Sequence, residues 1–249
     1  MGLTLPDEND CQPRVLKQRF HGYTRFLMAT PRQSLRRDRE RDLIHATRAL
    51  FDARGVQDAP IEEIARSVGI ARGLIYRQFS SKEELYVLTV TDYLAELDAV
   101  LAQADDAQAA PPVRLEALTR AYAGFCEHYP AFIDSALSLM RRPARDLHET
   151  VSESVWLRLG QGMALCVDQV AAVLRAGAAT GDFAVEDPDY AANVLWTQAL
   201  GVMHLARIRV GLRQAAPGFP ALFPVTPERV VETCVRIALS TVAAPSSRS

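Results

Sequence analysis

From Pro60 to Tyr86 the chain reads Pro-Ile-Glu-Glu-Ile-Ala-Arg-Ser-Val-Gly-Ile-Ala-Arg-Gly-Leu-Ile-Tyr-Arg-Gln-Phe-Ser-Ser-Lys-Glu-Glu-Leu-Tyr, a spacing that leaves few ways to fold. Ile61, Ile64, Ala65 and Val68 recur at i, i+3, i+4 and i+7, so one apolar stripe runs along a helix of two turns. Gly69 follows, and glycine tolerates the left-handed conformation that a tight corner needs. A second short helix is expected over residues 71–79. Ser81, with Glu84 three positions later, forms the capping box of a third. Two short helices about a glycine corner are the outline of a helix-turn-helix.

The second short helix has two sides. Steps of 100° per residue put Ala71, Ile75 and Gln78 on one side and Arg72, Gly73, Tyr76 and Arg77 on the other. The first side packs and the second is free to read a groove. Arg72 can offer a bidentate fork to guanine, Gly73 permits close backbone approach, Tyr76 suits a phosphate oxygen, and Arg77 reaches a base or phosphate. Leu74 lies on the border, against a thymine methyl or in the core. Lys82 and the backbone N–H groups at the capped helix start form a phosphate clamp. Charge supports this placement: residues 1–82 carry 15 Lys+Arg against 10 Asp+Glu, and the remainder 13 against 20, within a net charge of -2.

Upstream, residues 1–35 show no sustained period and contain Pro6, Pro13 and Pro31, as expected of a flexible arm. The arm carries a basic, aromatic-interleaved patch of Arg14, Lys17, Arg19, Phe20, Tyr23, Arg25 and Phe26. Residues 36–54 read as a helix packing through Leu43, Thr47, Leu50 and Phe51, ended by Gly55, with Pro60 opening the next. The expected organisation is an arm (1–35), a three-helix reader (36–81) and a helical body (82–249).

Taken together, residues 37–90 resemble the DNA-binding domain of the tetracycline-repressor (TetR) family of transcriptional regulators. The resemblance is carried by Phe51-Asp52-Ala53-Arg54-Gly55, Ile64-Ala65, Val68-Gly69-Ile70, and Gly73-Leu74-Ile75-Tyr76-Arg77-Gln78-Phe79 running into Ser81-Lys82-Glu83-Glu84-Leu85. It implies DNA contacts from Arg72, Gly73, Tyr76, Arg77, Gln78 and Lys82. Three positions depart from the family pattern: Ala59 stands where a threonine N-cap is usual, Ala71 for a serine, and Leu74 for a small polar residue. A lost cap costs about 1 kcal/mol.

The body reads as all-α, with helices expected at residues 82–104, 113–129, 130–141, 146–180, 188–212 and 227–242. An irregular loop is expected over 216–224, and no alternating strand pattern of useful length is present. The resemblance implies that the last two long helices pair with a second copy and that the middle helices enclose a ligand cavity. Leu195, Ala199, Val202, Ala206, Val231, Val235, Ala238 and Leu239 form the stripe suited to the first role, although a monomeric core shows the same stripe. For the cavity the candidates are Tyr93, Tyr122, Phe125, Phe132, Met140, Trp156, Met163, Trp196 and Met203, with Cys166, Gln198 and His204 as polar or soft partners, against the plainer reading of each as core. Gly160-Gln161-Gly162 lies within a helical pattern and reads as close helix packing.

Four dispersed cysteines, with no C-x-x-C pair, read as reduced thiols rather than metal ligands. No apolar run approaches a membrane span and no signal peptide is evident, so a soluble cytoplasmic protein is expected. No Walker loop, G-x-G-x-x-G, G-x-S-x-G or H-E-x-x-H occurs, so no cofactor, metal or catalytic role is expected. The leading expectation is a homodimeric repressor that reads palindromic double-stranded DNA and is released by a small-molecule effector. The other class is a helical ligand-binding or enzymatic protein whose helix-turn-helix has lost its role.

Overall fold

The computed structural model describes residues 31–54, 60–141 and 148–244. The basic patch of the arm, Gly55, Ala59 and Cys11 lie outside these residues.

Three helices build the reader: α1 (Pro31–Arg54), α2 (Ile61–Ser67) and α3 (Arg72–Gln78). Leu43, Phe51, Ile61, Ile64, Ala65 and Ile75 are buried between them, as the helical spacing requires. Thr47 is also buried, its hydroxyl donating to the Leu43 carbonyl one turn back at 2.7 Å. Gly69 takes φ +71 at the corner between α2 and α3. Pro60 is the residue that caps α2 rather than its first helical position.

Helix α4 (Lys82–Ala104) starts at the reader and runs into the body. Its cap is the expected one: Ser81 Oγ accepts from Glu84 N at 3.0 Å. The Glu84 carboxylate reaches back to Ser80, accepting from its N–H at 2.5 Å, and also accepts from Ser152 Oγ. Ser152 is the N-cap of α7 (Glu153–Thr180), so two long helices begin at one shared carboxylate. Burial alone would push Glu84 up, but the hydroxyls of Ser152 and Ser80 and two backbone hydrogen bonds more than offset it and hold the carboxyl below its ordinary value.

The body is completed by α5 (Pro111–His128), α6 (Pro130–Met140), α8 (Pro188–Ile208) and α9 (Pro227–Val242). Helix α7 packs on α4, α5 and α8, and α9 packs on α5 and α8. Gly162 lets α7 approach α4 closely, since a Cβ there would meet Leu94 Cβ at 3.3 Å. Gly160 faces open space, so the expectation of close packing holds for one glycine of the pair.

Three expectations are corrected. Helix α7 starts at Glu153, not near residue 146: Val151 and Ser152 break the pattern, and Ser152 takes an extended conformation as its cap. Its 28 residues are also long and apolar enough, by length and composition, to cross a membrane, although the helix packs against three others here. Finally, α8 stops at Ile208, where Arg209 turns left-handed at φ 58, and a hairpin follows of β1 (Val210–Ala216) and β2 (Phe219–Pro224). The strands pair antiparallel, with Leu212 opposite Leu222 and a register shift between Gln214 and Ala216, about a turn with Gly218 at φ +82. Prolines at both ends of β2 and the register shift blur the alternation that marks a strand. The hairpin stands out from the body: Leu212 is 75% exposed and Phe219 70%.

Candidate nucleic-acid interface and cavity

Helix α3 is fastened by Ile75 and Phe79, which are 1% and 2% exposed. With those two inward, Arg72, Gly73, Tyr76 and Arg77 are exposed and Leu74 is half-buried at the border. Ala71, expected to pack, is exposed because the helix begins one residue later. Arg72 Nη1 pairs with Glu62 Oε1 on α2 at 2.5 Å, and its guanidinium lies 5.6 Å from the Tyr76 ring centroid. The Tyr76 hydroxyl and Glu62 favour the charged form of Arg72. The fork is thus held above the exposed face, with its carboxylate partner at the rim. Nothing lies within 4 Å of where a Cβ on Gly73 would stand, so that stretch of helix is open to close approach.

Gln78 is placed otherwise. Its Nε2 donates to the Arg36 carbonyl at 3.3 Å and to Glu40 Oε2 at 3.4 Å, so this amide holds α3 on α1 rather than facing outward. Glu40 also accepts from Arg158 of α7 at 2.9 Å, which extends the tie into the body. Lys82 is half-buried at the start of α4.

A second joint between reader and body is centred on Arg48. Its guanidinium donates to Asp92 at 2.7 Å and to Glu96, lies against both the Tyr93 and Tyr129 rings, and approaches Asp52 at 3.9 Å. Tyr93 Oη donates to Asp52 at 2.5 Å and Tyr129 Oη to Glu96 at 2.7 Å. Three acidic groups and two rings from α1, α4 and the α5–α6 junction therefore converge on one cation. Sequence reasoning offered Tyr93 to the cavity and missed this joint, because its members are spread over 82 positions of the chain.

Within the body, α4, α5, α7, α8 and α9 line a narrow, part-open cavity of about 50 Å³. Of the expected ligand residues, Tyr122, Trp196 and Gln198 line it. The others lie elsewhere. Phe125 and Phe132 pack edge to face in the core, their centroids 5.3 Å apart. Met140 and Met163 are exposed, and Trp156 meets His148 edge-on. Cys166 is buried with its thiol 3.5 Å from the Leu94 carbonyl, and Met203 lies in a separate groove with Cys126 and Arg207. His204 is half-buried and absent from the lining, its Nδ1 without a partner among the described residues. Leu115, Leu118 and Tyr122, one stripe of α5, give the lining that bulk alone did not single out.

The stripe expected to pair two copies is also corrected. Leu195, Ala199, Val202 and Ala238 line the cavity, Ala206 and Val235 are buried, and Val231 and Leu239 pack half-buried on the core. Side chains already covered within one chain have little surface left for a partner. Exposed apolar residues lie instead on α7 (Leu157, Met163, Leu165), on α8 (Tyr190, Leu205, Ile208) and on the hairpin. Met163 and Leu165 share a shallow groove with Asp189 and Asn193 of α8.

Cys126, Cys166 and Cys234 are free and buried. Burial pushes the Cys166 thiol up to about 12 and that of Cys234 to about 11, so all three stay protonated, Cys126 included.

Residues 43–88 match the family model of bacterial regulatory proteins, tetR family. The chain is 32% identical over 93 residues to the HTH-type transcriptional activator FasR of Mycolicibacterium smegmatis, covering 37% of this chain and 42% of FasR. It is 31% identical over 109 residues to the HTH-type transcriptional repressor KstR2 of Mycobacterium tuberculosis, covering 42% and 54%. It spans about half the length of the curated relatives it matches. Among solved structures, a tetR-family regulatory protein from Rhodococcus RHA1 superposes with TM-score 0.60 at 19% identity, over 83% of this chain and 98% of that one. KstR2 of M. tuberculosis superposes with TM-score 0.55 at 22% identity, over 83% and 96%. Residues 43–88 are thus similar to the tetR family of bacterial regulatory proteins, and the chain shares the helical fold of solved proteins of that family.

Proposed function

We propose that this protein is a sequence-specific DNA-binding transcriptional regulator, acting as a homodimer whose operator affinity is changed by a small molecule bound in the body. The observation that carries the reading is the outward face of α3. Arg72, Gly73, Tyr76 and Arg77 stand exposed on a helix pinned from behind by Ile75 and Phe79, within the stretch that matches the family model.

Arg72 supplies the base-reading fork, Tyr76 and Arg77 reach the backbone or base edges, and Lys82 clamps a phosphate beside the capped start of α4. A two-fold dimer joined through the exposed apolar residues of α7 and α8 presents two such faces to half-sites about 34–36 Å apart. A ligand that binds better when those faces are wrongly separated lowers DNA affinity by its differential affinity for the two states. Relatives include a named activator and a named repressor, and repression is the sense proposed for this chain.

The test is a mobility shift with DNA from upstream of the protein's own gene, titrated with salt and competed with unrelated duplex. Specific binding that falls steeply with salt is expected. Equal affinity for both duplexes at every salt concentration refutes the reading.

A further inference from the structure

The two edges of the hairpin are unlike. Val225 N–H donates to the Arg209 carbonyl at 2.9 Å, just beyond the register pair of Val210 with Pro224. Antiparallel pairs alternate, so Gly211 with Phe223 and Arg213 with Ala221 exchange backbone hydrogen bonds, while Val210, Leu212 and Gln214 turn their backbone groups away from β2. On β2 the residues turned outward are Pro220, Leu222 and Pro224. The two prolines have no N–H to offer, which blunts that edge against further pairing. The β1 edge contains no proline, and the sheet has no third strand among the described residues. Its N–H and C=O groups at Val210, Leu212 and Gln214 take no backbone partner among those residues.

The side chains follow the same division. Val210, Leu212 and Leu222 share one face of the hairpin and are exposed, whereas Phe223, on the other face, packs on the core. The outward face is thus the apolar one, and it follows directly in the chain on Leu205 and Ile208, which are exposed at the end of α8. A two-stranded hairpin is marginal in water by itself, and an open edge beside an apolar face is a template for another strand.

We propose that the β1 strands of two copies pair antiparallel about the two-fold axis, centred on Leu212, to make one four-stranded sheet across the dimer. The edge is complementary to itself in this register. Centred on Arg213, the pairing would set guanidinium against guanidinium, and centred on Gly211 it would set Arg209 against Arg213 of the second copy; like charges directly opposite are destabilising. Centred on Leu212, it sets Arg213 against Gly211, Val210 against Gln214 and leucine against leucine, and each open N–H of the edge meets an open carbonyl. The proposal rests on the homodimer reading and adds a second contact to the one through α7 and α8.

Cys126, Cys166 and Cys234 are buried, so Leu212→Cys combined with Cys11→Ser leaves its new thiol as the accessible one. Opposed residues of a hydrogen-bonded pair have Cα atoms about 5.5 Å apart, within disulfide reach. Arg213→Cys in the same background is also an exposed strand position, but it faces its own copy across the diagonal, at roughly 7–8 Å. On oxidation Leu212→Cys is expected to form the intermolecular disulfide about tenfold faster than Arg213→Cys, at a rate unchanged by diluting the dimer. Hydrogen exchange of the unsubstituted protein, resolved to single amides, is expected to be slow at Val210, Leu212 and Gln214. Equal cross-linking of both variants, or of neither, overturns the proposal, and so does fast exchange at those amides. Sedimentation of the same preparations separates the two readings: dimers lacking the bridge and the protection remove the pairing and keep the homodimer, whereas monomers remove both.

Discussion

The guanidinium carbon of Arg48 lies 4.5 Å from the centroid of the Tyr129 ring, across the junction between the reader and the α5–α6 corner of the body. The Tyr93 ring lies 4.2 Å away, and Asp92 and Glu96 take the guanidinium hydrogens. Because Tyr129 joins α5 to α6, and Tyr122 lies two turns earlier on α5, the joint and the cavity share a helix.

Arg48→Lys keeps the charge but loses the planar fork and the stacking. It is expected to lower stability by about 1–2 kcal/mol, read from urea unfolding, and to expose α1 to limited proteolysis before the body. Unchanged unfolding would show that the rings and acids are neighbours without being a joint.

Glu62→Gln removes the partner that holds Arg72. DNA affinity at low salt is expected to rise by a few-fold, because one acidic group leaves the rim of the reading face. Arg77→Ala is expected to weaken binding to all sequences and reduce the salt slope by about 1. Filter binding across a salt series separates the two effects.

Glu84 supplies the pH dependence. Its carboxyl is held below the ordinary value in the folded protein, so its contribution is complete above the unfolded pKa near 4.5 and is lost as pH falls through the lower folded value. Glu84→Gln is expected to cost about 1–2 kcal/mol at pH 7. The gap from wild type should narrow as pH drops below 4.5 in thermal melts. A constant gap from pH 7 to pH 3 would exclude the mechanism.

Leu165, 57% exposed on α7, tests where two copies meet. Leu165→Arg is expected to shift the sedimentation profile from dimer to monomer and to weaken operator binding, whereas Val231→Arg on α9 should do so only by unfolding the body. Dimers that survive Leu165→Arg would place the contact elsewhere.

Gly177 and Gly73 make an opposed pair. A Cβ at Gly177 would stand 2.0 Å from the Phe183 ring, so Gly177→Ala is expected to destabilise by about 1–3 kcal/mol. Gly73→Ala meets nothing inside the protein and should leave the melting temperature within a degree or two while weakening DNA binding.

Much of this was legible in the chain. Ile61, Ile64, Ala65 and Gly69 determine the reader through local spacing alone, and the capping of α4 follows from Ser81 and Glu84. What periodicity cannot say is which way a stripe faces. Leu195, Ala199 and Val202 mark an apolar side of α8 equally well whether that side meets a second copy or the body's own cavity. Contacts distant in sequence were equally hidden, since Glu84 with Ser152 depends on how α4 lies against α7, and Arg48 with Tyr129 on how α1 lies against the α5–α6 corner. The hairpin escaped because Gly211, Pro220 and Pro224 within its strands read against strand structure.

The shared start of α4 has a consequence for anyone recombining such proteins. The reader does not end at residue 81: Tyr86 packs on Phe51 at 5.5 Å between ring centroids, and Asp92 and Glu96 belong to Arg48. A chimaera cut at the serine pair would split one core between two parents. A graft reaching through Glu96 would carry its own acids but inherit a foreign residue at 129. The angle at which a transplanted reader sits would then be set by its host.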